Sequence, residues 1–195
     1  MVHPYSLSEP LVTPRLSLRL MTLDDTEAIL TYQADEEVTR YLPYPPRDRD
    51  TVIKKIQEHS IRDSLAQDGD YMMLLAERRS DGATIGEMYF KLDSVEHSRA
   101  EIGWVLHPQF HGHGYASEAA QALLDVAFYT MKLHRVFALL DPRNDASVSL
   151  CLRLGMQKEA HLRHDEFFKG EWADTGIYGI LSDEWEERAG RVTKD

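Results

Sequence analysis

From Arg15 to Leu20 the chain alternates polar and apolar residues (RLSLRL), the two-residue period of a strand with one buried face. A helix should follow, since Thr22 or Asp24 can cap it, Asp25 and Glu27 suit its positive end, and Ala28, Ile29 and Tyr32 supply an inner face. Pro43-Tyr44-Pro45-Pro46 reads as a loop, because proline lacks an amide donor and restricts the residue before it. Beyond it Val52, Ile53, Ile56, Ile61 and Leu65 recur at helical intervals and predict a second helix from Asp50 to Leu65. Three strands come next, Tyr71 to Glu77, Thr84 to Leu92 and Arg99 to Leu106; the short turn at Asp81-Gly82 implies antiparallel pairing.

The clearest periodicity lies after Gly112 and Gly114. Ala116, Ala119, Ala120, Leu123, Leu124, Ala127, Phe128 and Met131 repeat as one buried helix face. A β-branched and aromatic strand, Arg135 to Leu140, leads through Asp141-Pro142-Arg143-Asn144 to a short helix from Ala146 to Leu154, with Gly155 as its left-handed cap. The tail reads as a strand pair, Gln157 to Arg163 and Trp172 to Leu181, turning near Lys169-Gly170. The sum is an α/β (α+β) fold with helices on a mixed sheet.

Composition narrows the class. The 195 residues, 43% hydrophobic and 28% charged, with no repeat or low-complexity tract, fit one globular domain. No run approaches the ~20 apolar residues of a membrane span, and MVHPYSLSEP has neither the basic nor the apolar region of a secretory signal. The single cysteine, Cys151, excludes an internal disulfide and suits a reducing cytoplasm. A net charge of −11 argues against nucleic-acid backbones and favours a cationic partner.

Chemistry concentrates in Arg99 to Ala119, which runs strand, glycine loop, helix start. Glycines at 112 and 114 permit backbone shapes that aim consecutive amides into one concavity, and the following helix adds its positive end. That is an anion cradle without lysine or arginine; a plain glycine turn is the alternative. His111-x-His113, and His161 with His164 and Asp165, complete no metal-ligand set, so no metal is expected. A dinucleotide-binding oxidoreductase fits less well: Ser117 holds its third glycine position, and too little chain remains for a doubly wound sheet.

The segment Gln109-Phe110-His111-Gly112-His113-Gly114 resembles the Gln/Arg-x-x-Gly-x-Gly/Ala signature of the GNAT N-acetyltransferases. Ala100-Glu101-Ile102-Gly103-Trp104-Val105-Leu106, the Gly-Tyr-Ala-Ser-Glu-Ala helix start, Asn144-Asp145-Ala146-Ser147 and Arg153-Leu154-Gly155-Met156 are similar to the RimJ/RimL branch. Thr13-Pro14-Arg15-Leu16 and Asp174 with Tyr178 also fit it, so the likeness runs from about Thr13 to Trp185.

The resemblance implies a single GNAT domain, residues 1–195 with a core of about 13–185 and short flexible ends. Its sheet would be mostly antiparallel with about six to seven strands, a splayed parallel pair and helices on both faces. Acetyl-CoA would lie in the splay between Arg99–Leu106 and Arg135–Leu140, its pantetheine arm on the backbone near Val105. Gln109 to Ala116, including His111, Gly112, His113, Gly114 and Tyr115, would hold the pyrophosphate. An acceptor amine, on a protein N-terminus or a small molecule, would attack directly in a ternary complex with a monomer or homodimer.

Glu101 is the candidate base, with a structural carboxylate as the alternative. Many family members place a tyrosine over the departing sulfur, where this chain has Cys151, a small buried residue in such a helix. Asn144 and Ser147 are the candidate replacements, although Ser147 equally suits a helix cap. Tyr41 and Trp172 are candidate acceptor-lining residues, or packing. A non-catalytic acyl-CoA sensor on the same fold stays open.

Overall fold

The computed structural model describes residues 2–192. Its elements are β1 (Tyr5–Ser6), β2 (Leu11–Val12), β3 (Leu16–Leu20), α1 (Thr26–Gln33), α2 (Glu36–Thr39), α3 (Arg49–His59), β4 (Ser64–Leu65), β5 (Tyr71–Arg78), β6 (Thr84–Ser94), β7 (Arg99–Leu106), α4 (Tyr115–Asp125), β8 (Arg135–Leu140), α5 (Asp145–Leu154), β9 (Gln157–Phe168), β10 (Glu171–Leu181) and α6 (Ser182–Val192). Eight strands form one sheet in the order β2-β3-β5-β6-β7-β8-β10-β9, and β1 pairs with β4 apart from it. Every neighbouring pair is antiparallel except β7 and β8.

Side-chain alternation divides the core between the two faces of that sheet. Ala100, Ile102, Val136, Ala138 and Ile180 pack with Ala119, Ala120, Leu123 and Leu124 of α4 and Leu150 and Leu154 of α5. On the opposite face Leu75, Met73 and Val105 pack with Ile29 and Tyr32 of α1 and Val52 and Ile56 of α3. Each fully buried residue of this size contributes roughly 1.5–3 kcal/mol of transfer free energy, so both helix layers are held by apolar contact. The expected fold class is observed, with a longer sheet because β2 adds an edge to it.

Several boundaries move. The second helix stops at His59, whereas Leu65 has turned into β4 opposite Tyr5, leaving Ile61 on the surface at 79% exposure. The long amphipathic helix is α only as far as Asp125; Val126–Thr130 continues as a π turn, where the Trp185 indole of α6 donates to Asp125 at 2.9 Å. The tail strands extend to Phe168 and begin at Glu171, and both α2 and α6 are additional to the elements expected. No helix among the described residues is long and apolar enough to cross a membrane.

Candidate active site

β7 and β8 pair only through Arg99↔Arg135, Ala100↔Val136 and Glu101↔Phe137. Past Glu101 each keeps its outer neighbour, β7 staying on β6 to Leu106↔Gly86 and β8 on β10 to Leu140↔Gly176, so the gap between them opens without loosening the sheet. A cleft of about 770 Å³ occupies it. His107 N–H donates to Ile85 O across β6 at 2.9 Å, and antiparallel pairing alternates the side to which a residue sends its backbone groups. Val105 is therefore bound to β6, and the main-chain groups of its neighbours Trp104 and Leu106 face the opening. Gly86 makes this register possible, since a Cβ there would lie 2.2 Å from Val105 O.

At the outer end of the cleft a short 3-10 turn, Pro108–Phe110, leads into Gly112 and Gly114, both left-handed at φ 79° and 77°. Gly114 is the N-cap of α4 and offers no side chain to the first-turn amides, which have no intrahelical acceptor. Those bare donors and the helix dipole fit a diphosphate, and a Cβ built on Gly112 meets nothing within 4 Å, so the space beside it is open. His111, Gly112, Gly114, Tyr115 and Ala116 line the cleft, while Gln109 and His113 are exposed and do not. Tyr115 is buried and carries the Arg15 guanidinium 4.6 Å above its ring, a packing role.

The loop is fastened from a distance. Thr13 Oγ1 donates to Glu118 Oε1 at 2.6 Å, Arg15 N–H to the same oxygen at 2.8 Å, and Arg15 Nη1 to His113 O at 2.9 Å. Burial alone would raise the Glu118 carboxyl, but the bonds from Thr13 and Arg15 outweigh it and hold it below its usual value.

On the other wall, Asn144 caps α5 by accepting Ser147 N–H at 3.1 Å, so Ser147 is not the cap. Its hydroxyl oxygen instead accepts from the Trp104 indole at 3.1 Å, which leaves the hydroxyl hydrogen to donate elsewhere. Both Asn144 and Ser147 line the cleft. Cys151 is fully buried away from it, its thiol pushed up to about 12 by burial, as a packing residue should be.

The opposite rim comes from α2, where Glu37, Val38 and the following Tyr41 and Leu42 line the cleft. Trp172 does not: it is 56% exposed on the β9–β10 hairpin, against Phe167 and His164. The hairpin nevertheless clasps α2, because Lys169 Nζ donates to Thr39 O and the Arg143 guanidinium lies between the Tyr41 ring, at 5.8 Å, and Glu171, at 3.1 Å. Glu101 stands at the last paired register of the splay and is not among the residues that line the cleft. Burial raises its carboxyl, opposed by the Lys91 ammonium 3.8 Å away.

Sequence reasoning missed Glu87, which lies opposite Val105 and is only 4% exposed. It accepts from Gln33 Nε2, whose Oε1 in turn accepts from Arg47 Nη1 at 2.7 Å. Burial pushes Glu87 from 4.5 up to about 7, moderated by Arg47 and the bond from Gln33. Between those values the folded chain keeps a proton that the unfolded chain has released, so stability falls as pH rises through the window, by about 3 kcal/mol. Glu87→Gln is expected to remove that slope, matching wild type near pH 4.5 and exceeding it by about 3 kcal/mol at pH 8. Denaturant titrations at the two pH values check this; parallel curves for the two proteins contradict it.

A splayed parallel pair ending at a helix start with bare amides is the arrangement that the sequence resemblance to the acetyltransferases implied. The acetyltransferase (GNAT) domain family matches residues 15–157. The uncharacterized N-acetyltransferase p20 of Bacillus licheniformis is 35% identical, over 91% of this chain and 98% of its own. Spermidine N(1)-acetyltransferase of Escherichia coli is 25% identical, over 80% and 81%. A solved GNAT-family acetyltransferase from Bacillus anthracis superposes with a TM-score of 0.80 at 29% identity, covering 90% of this chain and 99% of that one. The chain belongs to the GNAT acetyltransferase family and is an acetyl-CoA-dependent N-acetyltransferase.

Proposed function

We propose that the acceptor is a primary amine, which attacks the acetyl thioester from the α2 side of the cleft in a ternary complex with acetyl-CoA. The observation that carries this reading is the splay itself, with main-chain groups of Trp104 and Leu106 on one strand and a donor-rich helix start at its mouth. The coenzyme supplies an acetyl thioester; the chain's residues hold it and move the protons. Within the loop Gln109 to Ala116, the backbone amides from Gly112 onward grip the diphosphate, those of Gln109, Phe110 and His111 being bonded within the loop, and the backbone beside Val105 pairs with the pantetheine arm.

An ammonium must lose a proton before its nitrogen can attack, and Glu101 at the apex takes it, directly or through water. A main-chain amide of Trp104 or Leu106 meets the oxyanion. The Ser147 hydroxyl, already oriented by Trp104, donates to the departing thiolate, with Asn144 beside it. A chain with one buried cysteine and this coenzyme suits the cytoplasm.

The blocks Ala100–Leu106 and Asn144–Ser147 support placement beside the RimJ/RimL branch. The spermidine-acetylating relative, the net charge of −11 and Glu37 at the rim support a cationic acceptor, whether a small polyamine-like molecule or a protein α-amine. A panel of polyamines, amino-acid amides and basic peptides, scored by thiol release from acetyl-CoA, is expected to show turnover with cationic primary amines. Tight coenzyme binding with no turnover on any amine would point instead to a sensor.

A further inference from the structure

The cleft has to receive a ligand with about four negative charges at neutral pH, two on the diphosphate and nearly two on the 3′-phosphate monoester. Nearly all nearby guanidinium groups are already committed. Arg15 pairs with Glu118, Arg78 with Asp81, and Arg143 with Asp141 and Glu171. Arg188 donates to Arg153 O at 2.8 Å and so caps the end of α5. Arg153 is the exception. It is the one lysine or arginine among the residues that line the cleft, it has no carboxylate partner among the described residues, and its only side-chain bond is a 3.4 Å contact from Nε to Ser117 Oγ in the first turn of α4.

Position along α5 separates this side chain from the reacting end. Asn144 and Ser147 mark the inner end of the helix, and Arg153, in its last turn, lies roughly 13 Å further out at ~1.5 Å per residue. The diphosphate has its own donors in the amides that precede Ser117. A cation beyond them, on the facing helix, meets the part of the coenzyme that extends past the diphosphate.

We propose that Arg153 recognises the 3′-phosphate of coenzyme A and so makes the enzyme prefer the coenzyme to its 3′-dephospho form. This rests on the reading that the loop Gln109–Ala116 holds the diphosphate. The planar guanidinium forks two donors toward a phosphate, which distinguishes it from the backbone amides that serve the diphosphate without regard to the monoester. Such a contact also lets an acidic protein, of net charge −11, draw in a polyanion.

Calorimetry with coenzyme A and 3′-dephospho-coenzyme A on wild type, Arg153→Gln and Arg153→Lys tests the assignment, with thermal melts confirming that each is folded. Wild type is expected to bind coenzyme A roughly 10-fold tighter than the dephospho form. Arg153→Gln should lose that preference entirely by weakening coenzyme A alone, and Arg153→Lys, which keeps the charge without the fork, should keep only part of it. Equal weakening of both ligands by Arg153→Gln would move the contact to the diphosphate and overturn the proposal, while the loop reading stands. No change in either affinity would remove Arg153 from the site. Wild type binding neither ligand would overturn the loop reading, and this assignment with it.

Discussion

Replacing Gly112 and Gly114 together by valine is expected to lower coenzyme A affinity at least ~100-fold, or about 2.7 kcal/mol, in calorimetry. Two effects act in the same direction. At φ 79° and 77° a β-branched residue is strained by about 1–2 kcal/mol per position, which drives the loop toward another backbone path and turns its amides away from a common point. A side chain at 112 also projects into open space rather than against protein, so it occupies the volume a diphosphate would use. Because a Cβ at 112 meets nothing within 4 Å among the described residues, and one at 114 meets Arg15 Nη2 at 3.5 Å, the variant should fold, destabilised by about the strain. Unchanged affinity in a folded variant would remove the loop from the site.

Glu101→Gln is expected to reduce kcat ~100-fold near neutral pH while leaving coenzyme A affinity intact. A base must be ionised to work, so the wild-type rate should climb as pH rises through the Glu101 pKa, which burial places above the ordinary glutamate value. The amide cannot ionise, and that limb of the profile should vanish. Lys91→Met supplies an independent control: it removes the cation that holds the carboxyl down, so the limb should shift to higher pH without loss of plateau rate. If Glu101→Gln keeps both rate and profile, the carboxylate only anchors the strand pair.

The parts of the fold that were legible are those whose signal is local. Arg99–Leu106 and Arg135–Leu140 begin and end where composition places them, because both are short apolar runs bounded by turn residues. Ile61 and Leu65 misled because they keep a helical interval by coincidence; Leu65 is buried, but through β4 opposite Tyr5. Ser182–Val192 escaped notice since, of its described side chains, Trp185 is the one buried apolar residue in an otherwise charged run.

The cleft shows the same division. His111, Gly112, Gly114, Asn144 and Ser147 line one cleft, and the Asn144 cap is a local bond, yet the indole bond to Ser147 depends on Trp104, 43 positions away. Glu87 could not be found at all. It occupies an inward strand position where an apolar residue is usual, and its donor Gln33 lies 54 positions earlier, so no spacing rule links them. Trp172 carries an acceptor-site composition but an exposed address.

The fastening of α4 by Thr13 and Arg15 spans 105 and 103 positions of chain. A cradle built that way has high contact order: closing so large a loop carries an entropic cost that only the assembled sheet repays. An excised peptide carrying the glycine motif would therefore sample many shapes, and its amides would converge only when the segment leading into β3 has docked. On the proposed reading of this loop, ligand grip is a property of the finished topology rather than of the signature itself.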